Sequence, residues 1–86
     1  VNTMETVVKV LPRDDFTLYL EFEDGKKGIY DVKPLLDLPV FRPLADLAYF
    51  KKAHIALRTV VWPNEEDIAP ETLYIDCKAI SSANAA

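Results

Sequence analysis

The residues whose side chains could carry out a reaction are few, and their arrangement matches no familiar catalytic pattern. The chain has one histidine, His54, and one cysteine, Cys77. A histidine base needs a nucleophile within hydrogen-bond reach and a third group that orients its ring. The nucleophiles toward the carboxyl end are Cys77 and Ser81, and neither lies in a recognisable nucleophile turn. We therefore expect His54 to be a partly exposed sheet residue, Cys77 to be a buried thiol, and the protein not to be an enzyme.

The densest cluster of acidic side chains follows Trp62, the only tryptophan of the chain. Its members are Glu65, Glu66, Asp67 and Glu71, and they lack the alternate-residue spacing of a calcium-binding loop. With only two glycines, the chain also has no glycine-rich loop that could cradle a phosphate. We expect these carboxylates to form a solvated turn that favours the N-terminus of a following helix, with no metal and no cofactor.

The positively charged side chains are scattered rather than gathered into a stripe. They include Lys26, Lys27, Lys51, Lys52 and Arg58, in a chain whose formal net charge is −4. A net negative charge argues against binding to phosphate backbones or anionic lipid. We therefore expect this chain alone not to bind nucleic acid.

The composition predicts one small globular domain. Half of the 86 residues are hydrophobic and 28% are charged, which is typical of a folded rather than a disordered protein. At about 25 cal/mol per Å², the apolar burial of so short a chain barely exceeds its ordering entropy. We therefore expect a homodimer or a small protein partner. One cysteine excludes an internal disulfide, and no leader or long apolar run is present, so we expect a cytoplasmic protein without a membrane segment.

Three strands are predicted in the first half of the chain, over residues 5–11, over residues 16–22 and from the turn at Gly25 to about Pro34. A two-residue loop of Asp24 and Gly25 would bring Asp31 onto the core face of the hairpin. A three-residue loop with a bulge at Gly25 keeps that carboxylate on the solvent face. We therefore predict the bulged loop, with the pairs Phe22–Lys26, Glu21–Lys27, Leu18–Tyr30 and Phe16–Val32.

The second half of the chain is predicted to hold two helices and one or two strands. Residues 35–39 suffice for a single helical turn, and a longer helix is predicted over residues 42–52, with Pro43 at its first position. Leu44, Leu47 and Ala48 would form its apolar face, extended by Phe50 or Phe41. Residues 54–57 and 59–62 predict two short strands or one bent strand. A last helix over residues 70–80 would bury Leu73, Cys77 and Ile80.

These elements predict an α+β fold of order β-β-β-α-β-β-α, in which the helices cover one face of a small antiparallel sheet. The domain would span residues 5–80, with flexible ends at residues 1–4 and 81–86. Tyr19, Ile29 and Val60 would lie on the other face of the sheet, which could serve as a dimer surface.

The segment from Trp62 to Tyr74 is predicted to be a rigid corner that docks the last helix onto the sheet. Trp62 is most simply a core or sheet-edge anchor, while Asn64 and Asp67 hydrogen-bond nearby amides and hold the turn. If this corner is exposed, its polar groups are also the best placed to contact a partner. The candidate partner surface is therefore Trp62, Asn64, Asp67, Glu71 and Tyr74.

At these residues the chain resembles a known family. Trp62-Pro63-Asn64, Asp67-Ile68, Pro70 and Leu73-Tyr74 are similar to the terminal signature of a small bacterial family, domain of unknown function 2442. That signature runs Trp-Pro-Asn-Gly, any residue, Asp, an aliphatic residue, any residue, Pro, two residues, Leu-Tyr. Glu65 stands where the family has glycine, so a positive φ at this position would be strained unless Asn64 adopts it instead.

The resemblance also implies a class of function. Family members resemble the small partner proteins encoded beside toxin-like genes, which implies a non-enzymatic protein-binding module and, more narrowly, an antitoxin-like protein. The alternative is a transcriptional regulator or an accessory DNA-binding subunit. That alternative would require Lys26, Lys27, Lys51, Lys52 and Arg58 to gather into one positive face.

Overall fold

The computed structural model describes residues 6–79, which form an α+β fold with two small antiparallel sheets. The predicted α+β class is therefore confirmed, although the strands form two sheets instead of the single sheet predicted. The flexible ends predicted at residues 1–4 and 81–86 lie outside the described residues. The strands are β1 (Val7–Pro12), β2 (Thr17–Phe22), β3 (Lys27–Asp31), β4 (His54–Ala56), β5 (Thr59–Val61), β6 (Asp67–Ile68) and β7 (Lys78–Ala79). The helices are α1 (Leu47–Phe50), α2 (Pro70–Asp76) and two 3₁₀ helices, Lys33–Asp37 and Pro39–Ala45.

The first sheet has the strand order β1-β2-β3-β7. Its β2–β3 hairpin has the predicted register, since Leu18 lies opposite Tyr30 and Glu21 opposite Lys27. Gly25 has a φ of +96°, which is the left-handed conformation that the bulged loop requires. The remaining predicted pairs also meet, through backbone bonds from Phe22 N–H to Lys26 O and from Val32 N–H to Phe16 O.

The helix predicted over residues 42–52 is wrong in its extent. Pro43 lies inside a 3₁₀ helix, and Asp46 is extended, with φ −81° and ψ 114°. The Asp46 carboxylate accepts a hydrogen bond from the Ala48 N–H at 3.1 Å, so it caps a new helix instead of continuing the old one. The predicted apolar face is only partly correct, because Leu44 is buried, whereas Ala48 is exposed.

The second sheet has the strand order β4-β5-β6, so residues 54–62 form two strands rather than one bent strand. The turn between β4 and β5 holds Leu57 and Arg58 at φ values of 53° and 69°. The Arg58 carbonyl oxygen accepts a hydrogen bond from Val7 N–H at 3.0 Å, which joins the two sheets at the edge of β1. The predicted exposure of Val60 is wrong, because its side chain is fully buried in the core.

The last helix is shorter than predicted, and a strand follows it. α2 ends at Asp76, and Cys77 is extended, so that Lys78 and Ala79 pair with Ile29 and Gly28 of β3. This close approach depends on glycine, because a β-carbon on Gly28 would lie 2.7 Å from the Cys77 Sγ. The predicted burial of Leu73 and Cys77 is confirmed, and Ile80 lies outside the described residues.

The hydrophobic core lies between the two sheets and the helices. Its largest fully buried side chains include Trp62, Phe22, Phe50, Leu18, Leu20, Leu44 and Leu73. Trp62 belongs to this core, whereas Pro63, Asn64 and Glu65 in the turn that follows it are exposed.

Candidate functional site

The turn from Trp62 to Glu66 is a three-residue hairpin loop with a bulge. Glu65 N–H donates to the Trp62 carbonyl at 2.8 Å, and Trp62 N–H donates to the Glu66 carbonyl at 2.9 Å. Glu65 has a φ of +74°, whereas Asn64 is not among the residues with positive φ. The alternative in which Asn64 takes the left-handed position is therefore wrong. Glu65 carries the strain at this turn.

Tyr49 of α1 holds the middle and the end of this turn. The Tyr49 hydroxyl donates to the Glu66 carboxylate at 2.7 Å and accepts from Asn64 N–H at 2.8 Å. Glu66 is only 7% exposed, so this bond satisfies a carboxylate that water hardly reaches. Burial, and then the hydrogen bond to Glu66, raise the pKa of Tyr49 above its usual value. The phenol therefore stays protonated and keeps donating across the neutral pH range.

Trp62 is an anchor of the core rather than an exposed residue. Its side chain is 1% exposed, and its indole N–H donates to the Phe50 carbonyl at 2.8 Å. The two rings lie 6.0 Å apart between centroids. Trp62 therefore fixes where the turn begins, and a partner would have to reach it through the edge of a groove.

That groove lies on the outer surface of the second sheet. His54, Val61 and Asp67 are directly opposite one another on β4, β5 and β6, so their side chains share one face. The groove has a volume of about 510 Å³ and is open to solvent. We call it the acidic groove; its lining residues are His54, Ala56, Leu57, Val61, Trp62, Pro63, Glu65 and Asp67.

The acidic groove combines apolar walls with negative charge. Glu65 and Asp67 are its two carboxylates, and no lysine or arginine is among its lining residues. Leu57 stands at the rim and is 88% exposed, the largest exposed fraction among the large hydrophobic residues of the described chain. The His54 Nδ1 lies 3.2 Å from the Lys52 carbonyl oxygen, a contact that requires the proton on Nδ1. The arrangement suits contact with a surface that is partly apolar and partly basic.

Tyr74 and Glu71, the other two residues of the predicted partner surface, lie on α2 and do not line the groove. The Tyr74 hydroxyl donates to the Asp24 carboxylate at 2.5 Å, and the Lys26 Nζ lies 4.1 Å from the centroid of the Tyr74 ring. The hydrogen bond from Tyr74, followed by one from Lys26 N–H, lowers the pKa of Asp24. Tyr74 therefore ties α2 to the β2–β3 turn, while Glu71 is an exposed residue in the first turn of α2.

The side chains considered for catalysis are not brought together. His54 lines the acidic groove, whereas Cys77 is buried against β3, where its thiol donates to the Tyr74 carbonyl at 3.6 Å. Burial is the main cause that raises the pKa of the Cys77 thiol. Among residues 6–79, no three His, Cys, Asp or Glu side chains form a group that could hold a metal ion. Ser81 lies outside this range.

Residues 7–79 match the family described as Protein of unknown function (DUF2442), a span that covers both sheets and both α-helices. The chain belongs to this family. No curated protein matches this DUF2442 chain, and no solved structure matches it. Within the range that the structure describes, no helix is long and apolar enough to cross a membrane.

The sequence of this DUF2442 chain indicated the importance of the Trp62 turn but not the residues that hold it. Glu66 stands in a run of three acidic residues, and nothing in that run marks the middle one as buried. Tyr49 precedes it by seventeen residues, so the pair shows no local spacing signal. Leu57 was missed as a rim residue because a leucine beside a strand is usually predicted to be buried.

Proposed function

We propose that this DUF2442 chain is a non-enzymatic protein-binding module whose partner surface is the acidic groove. The observation that carries the proposal is the groove itself, in which the exposed Leu57 and the half-buried Val61 stand beside the carboxylates of Glu65 and Asp67. Exposed apolar side chains rimmed by polar groups are typical of protein interaction sites. The groove is open along a sheet face, a shape that suits an extended surface or loop of another protein.

The charge of the groove narrows the class of partner. Its two acidic residues, Glu65 and Asp67, have no lysine or arginine beside them among the lining residues, and the formal net charge of the chain is −4. Opposite charge across an interface speeds association and selects against wrong partners. The partner is therefore a basic protein that offers a lysine or arginine beside an apolar side chain.

In its most specific form, the proposal makes this chain the antitoxin-like half of a pair, acting in the cytoplasm on a basic toxin-like protein. The support is the charge of the groove, which complements a basic partner. The product of the neighbouring gene is the first partner to test.

The placement of the cations favours a protein partner over DNA. Lys51 forms an ion pair with Asp14 in the β1–β2 turn, whereas Lys26 donates to the Tyr74 carbonyl beside the β2–β3 turn. These two turns lie at opposite ends of β2, which spans roughly 20 Å for its six residues. Lys26 and Lys51 are therefore not gathered into one positive face, and they lend no support to the regulator alternative. A mobility-shift titration with duplex DNA across salt concentrations tests it separately.

The proposal is tested by calorimetric titration of the full chain with the purified product of the neighbouring gene. Asp67→Lys and Val61→Lys each place a cation in the acidic groove and should weaken binding by about tenfold or more. Asp37→Lys makes the same charge change as Asp67→Lys, but at an exposed residue of a 3₁₀ helix, and serves as the matched control. Equal affinities for the two groove variants and the control would exclude the groove as the partner surface.

A further inference from the structure

The outer face of the first sheet carries an ordered pattern of side chains. Leu11 lies opposite Tyr19, and Tyr19 lies opposite Ile29, so these three form one row across β1, β2 and β3. We call this the apolar row. On one side of it, Lys9, Glu21 and Lys27 form a second row, and on the other side Thr17 lies opposite Asp31.

This face is open to solvent among the described residues. Leu11 is 48% exposed, while Tyr19 and Ile29 are half-buried by their neighbours. Lys27 and Asp31, which flank the apolar row on β3, are both exposed. The opposite face of the same strands buries side chains such as Leu18 and Leu20, so the sheet has one core face and one solvent face.

The spacing on β3 makes the face complementary to itself. Lys27, Ile29 and Asp31 alternate along one strand, so a cation and an anion stand on the same face, two residues on either side of an isoleucine. A two-fold axis that lies along the apolar row exchanges these two positions. Lys27 of one copy would then face Asp31 of the partner subunit, and the reciprocal pair would form at the same time.

We propose that the outer face of β1-β2-β3 is a homodimer interface in which the apolar rows of two copies pack face to face. Aligned packing of two sheets about 10 Å apart brings such rows into contact. The two Lys27–Asp31 pairs fix the antiparallel alignment of the copies. The Asp31 carboxylate also forms an ion pair with the Lys33 Nζ at 3.0 Å. Because this pair is exposed it is weak, so Asp31 can also pair with a second cation.

A second copy fits this face better than the basic partner of the acidic groove does. Lys9, Lys27 and Lys78 all stand on this side of the sheet, since Lys78 lies opposite Ile29. Three lysines against Glu21 and Asp31 would repel a basic protein, whereas the two-fold arrangement places Lys27 against Asp31. The face and the groove belong to different sheets, so a dimer leaves the groove free.

Sedimentation equilibrium of the full chain over a concentration series tests this interface. The wild-type chain should dimerise, and Ile29→Lys should raise the dissociation constant of the dimer by at least about tenfold. Ile75→Lys makes the same substitution at a residue of α2 that is 73% exposed, and it should leave the dimer unchanged. A wild-type chain that stays monomeric at every concentration, or equal effects of the two substitutions, would overturn the proposal.

A charge exchange tests the two-fold arrangement itself. Lys27→Asp alone places two acidic side chains against each other and should weaken the dimer, and so should Asp31→Lys alone. The double variant Lys27→Asp/Asp31→Lys restores unlike charges across the axis and should recover most of the lost affinity. Circular dichroism confirms that each variant is folded, since Asp31 also accepts a hydrogen bond from Lys33 N–H. Losses that simply add in the double variant would rule out the proposed alignment.

Discussion

Glu65 occupies the same backbone position in its turn that Gly25 occupies in the β2–β3 turn. In both loops this residue donates its N–H three residues back, to Trp62 O at 2.8 Å and to Phe22 O at 2.9 Å. Both residues have positive φ, +74° for Glu65 and +96° for Gly25. The position is open to glycine at little cost, whereas a β-carbon there strains the backbone. Glycine is therefore the residue that this backbone position favours, and this chain has glutamate there.

The β1–β2 turn repeats this geometry with a third kind of residue. Phe16 has a φ of +63°, and its N–H donates to the Arg13 carbonyl at 3.1 Å. Its ring lies 5.2 Å from that of Phe50, so packing offsets the backbone strain. Glu65 is exposed and has no such compensation among its described contacts, which makes it the better position for a substitution.

Glu65→Gly should stabilise the protein by about 0.5–1 kcal/mol. Removing the β-carbon from a residue in the left-handed conformation raises the free energy of unfolding by about 1–2 kcal/mol. The greater freedom of glycine in the unfolded chain cancels part of this gain. Urea unfolding followed by tryptophan fluorescence gives the free energy of unfolding. The matched control is Gly25→Ala, which should destabilise the protein, because it introduces strain at the equivalent position. A Glu65→Gly variant less stable than the wild type would contradict the assignment of strain.

Tyr49→Phe should lower the free energy of unfolding by about 1–3 kcal/mol, because it leaves the buried Glu66 carboxylate without its donor. It also removes the acceptor of the Asn64 N–H. Tyr19→Phe is the control, since it deletes a hydroxyl that donates to the more accessible Glu21 at 2.7 Å. Thermal or urea unfolding of both variants at one protein concentration makes the comparison. Equal losses would show that Glu66 does not depend on Tyr49.

Gly28→Ala should detach β7 from the first sheet. The new β-carbon would lie 2.7 Å from the Cys77 Sγ and 2.9 Å from the Lys78 carbonyl oxygen, so backbone as well as side chain must move. We expect a loss of about 1–3 kcal/mol and faster amide exchange in residues 78–79. In a Cys77→Ala background the sulfur contact is gone, so the same substitution should cost less. An identical cost in both backgrounds would refute the close approach of Cys77.

Tyr74→Phe should raise the pKa of Asp24 toward its ordinary value of 3.8, because the hydrogen bond from the Tyr74 hydroxyl is the main cause that lowers it. A lowered folded-state pKa stabilises the protein above the unfolded-state value. That contribution is lost as the pH falls from about 3.8 through the folded-state pKa. Carboxyl NMR titration measures the shift. Asp15 is the internal control. The hydrogen bond from the Thr17 side chain is the main cause that lowers its pKa, so the pKa of Asp15 should not change in this variant. An unchanged pKa of Asp24 would contradict the hydrogen bond from Tyr74.

The sequence was most informative where one local rule acted alone. The alternation of residues 16–22 and the glycine at position 25 were enough to predict the register of the β2–β3 hairpin, which the structure confirms. The prediction of one helix over residues 42–52 was wrong because Asp46 caps a helix rather than continuing one. This preference outweighs the apolar spacing around it. β7 was missed because its pairing depends on the space beside Gly28, fifty residues earlier in the chain.

For the candidate site, the sequence indicated the region but not its exposed surface. Trp62 was proposed both as an anchor and as a partner contact, and its hydrogen bond to Phe50 makes it an anchor. Asp67 does line the groove, whereas Tyr74 and Glu71 belong to α2. The alignment of His54, Val61 and Asp67 comes from the pairing of three short strands, and β6 has only two residues, too few to give an alternating pattern.

Amide chemical-shift mapping tests most directly whether the acidic groove is the partner surface. The isotope-labelled full chain is titrated with the product of the neighbouring gene, and shifts are followed residue by residue. We expect the largest changes at His54, Leu57, Glu65 and Asp67 and at the Trp62 indole N–H, with residues 33–37 unaffected. Binding with the largest changes on α2 or on the face of Tyr19 and Ile29, and none in the groove, would contradict it.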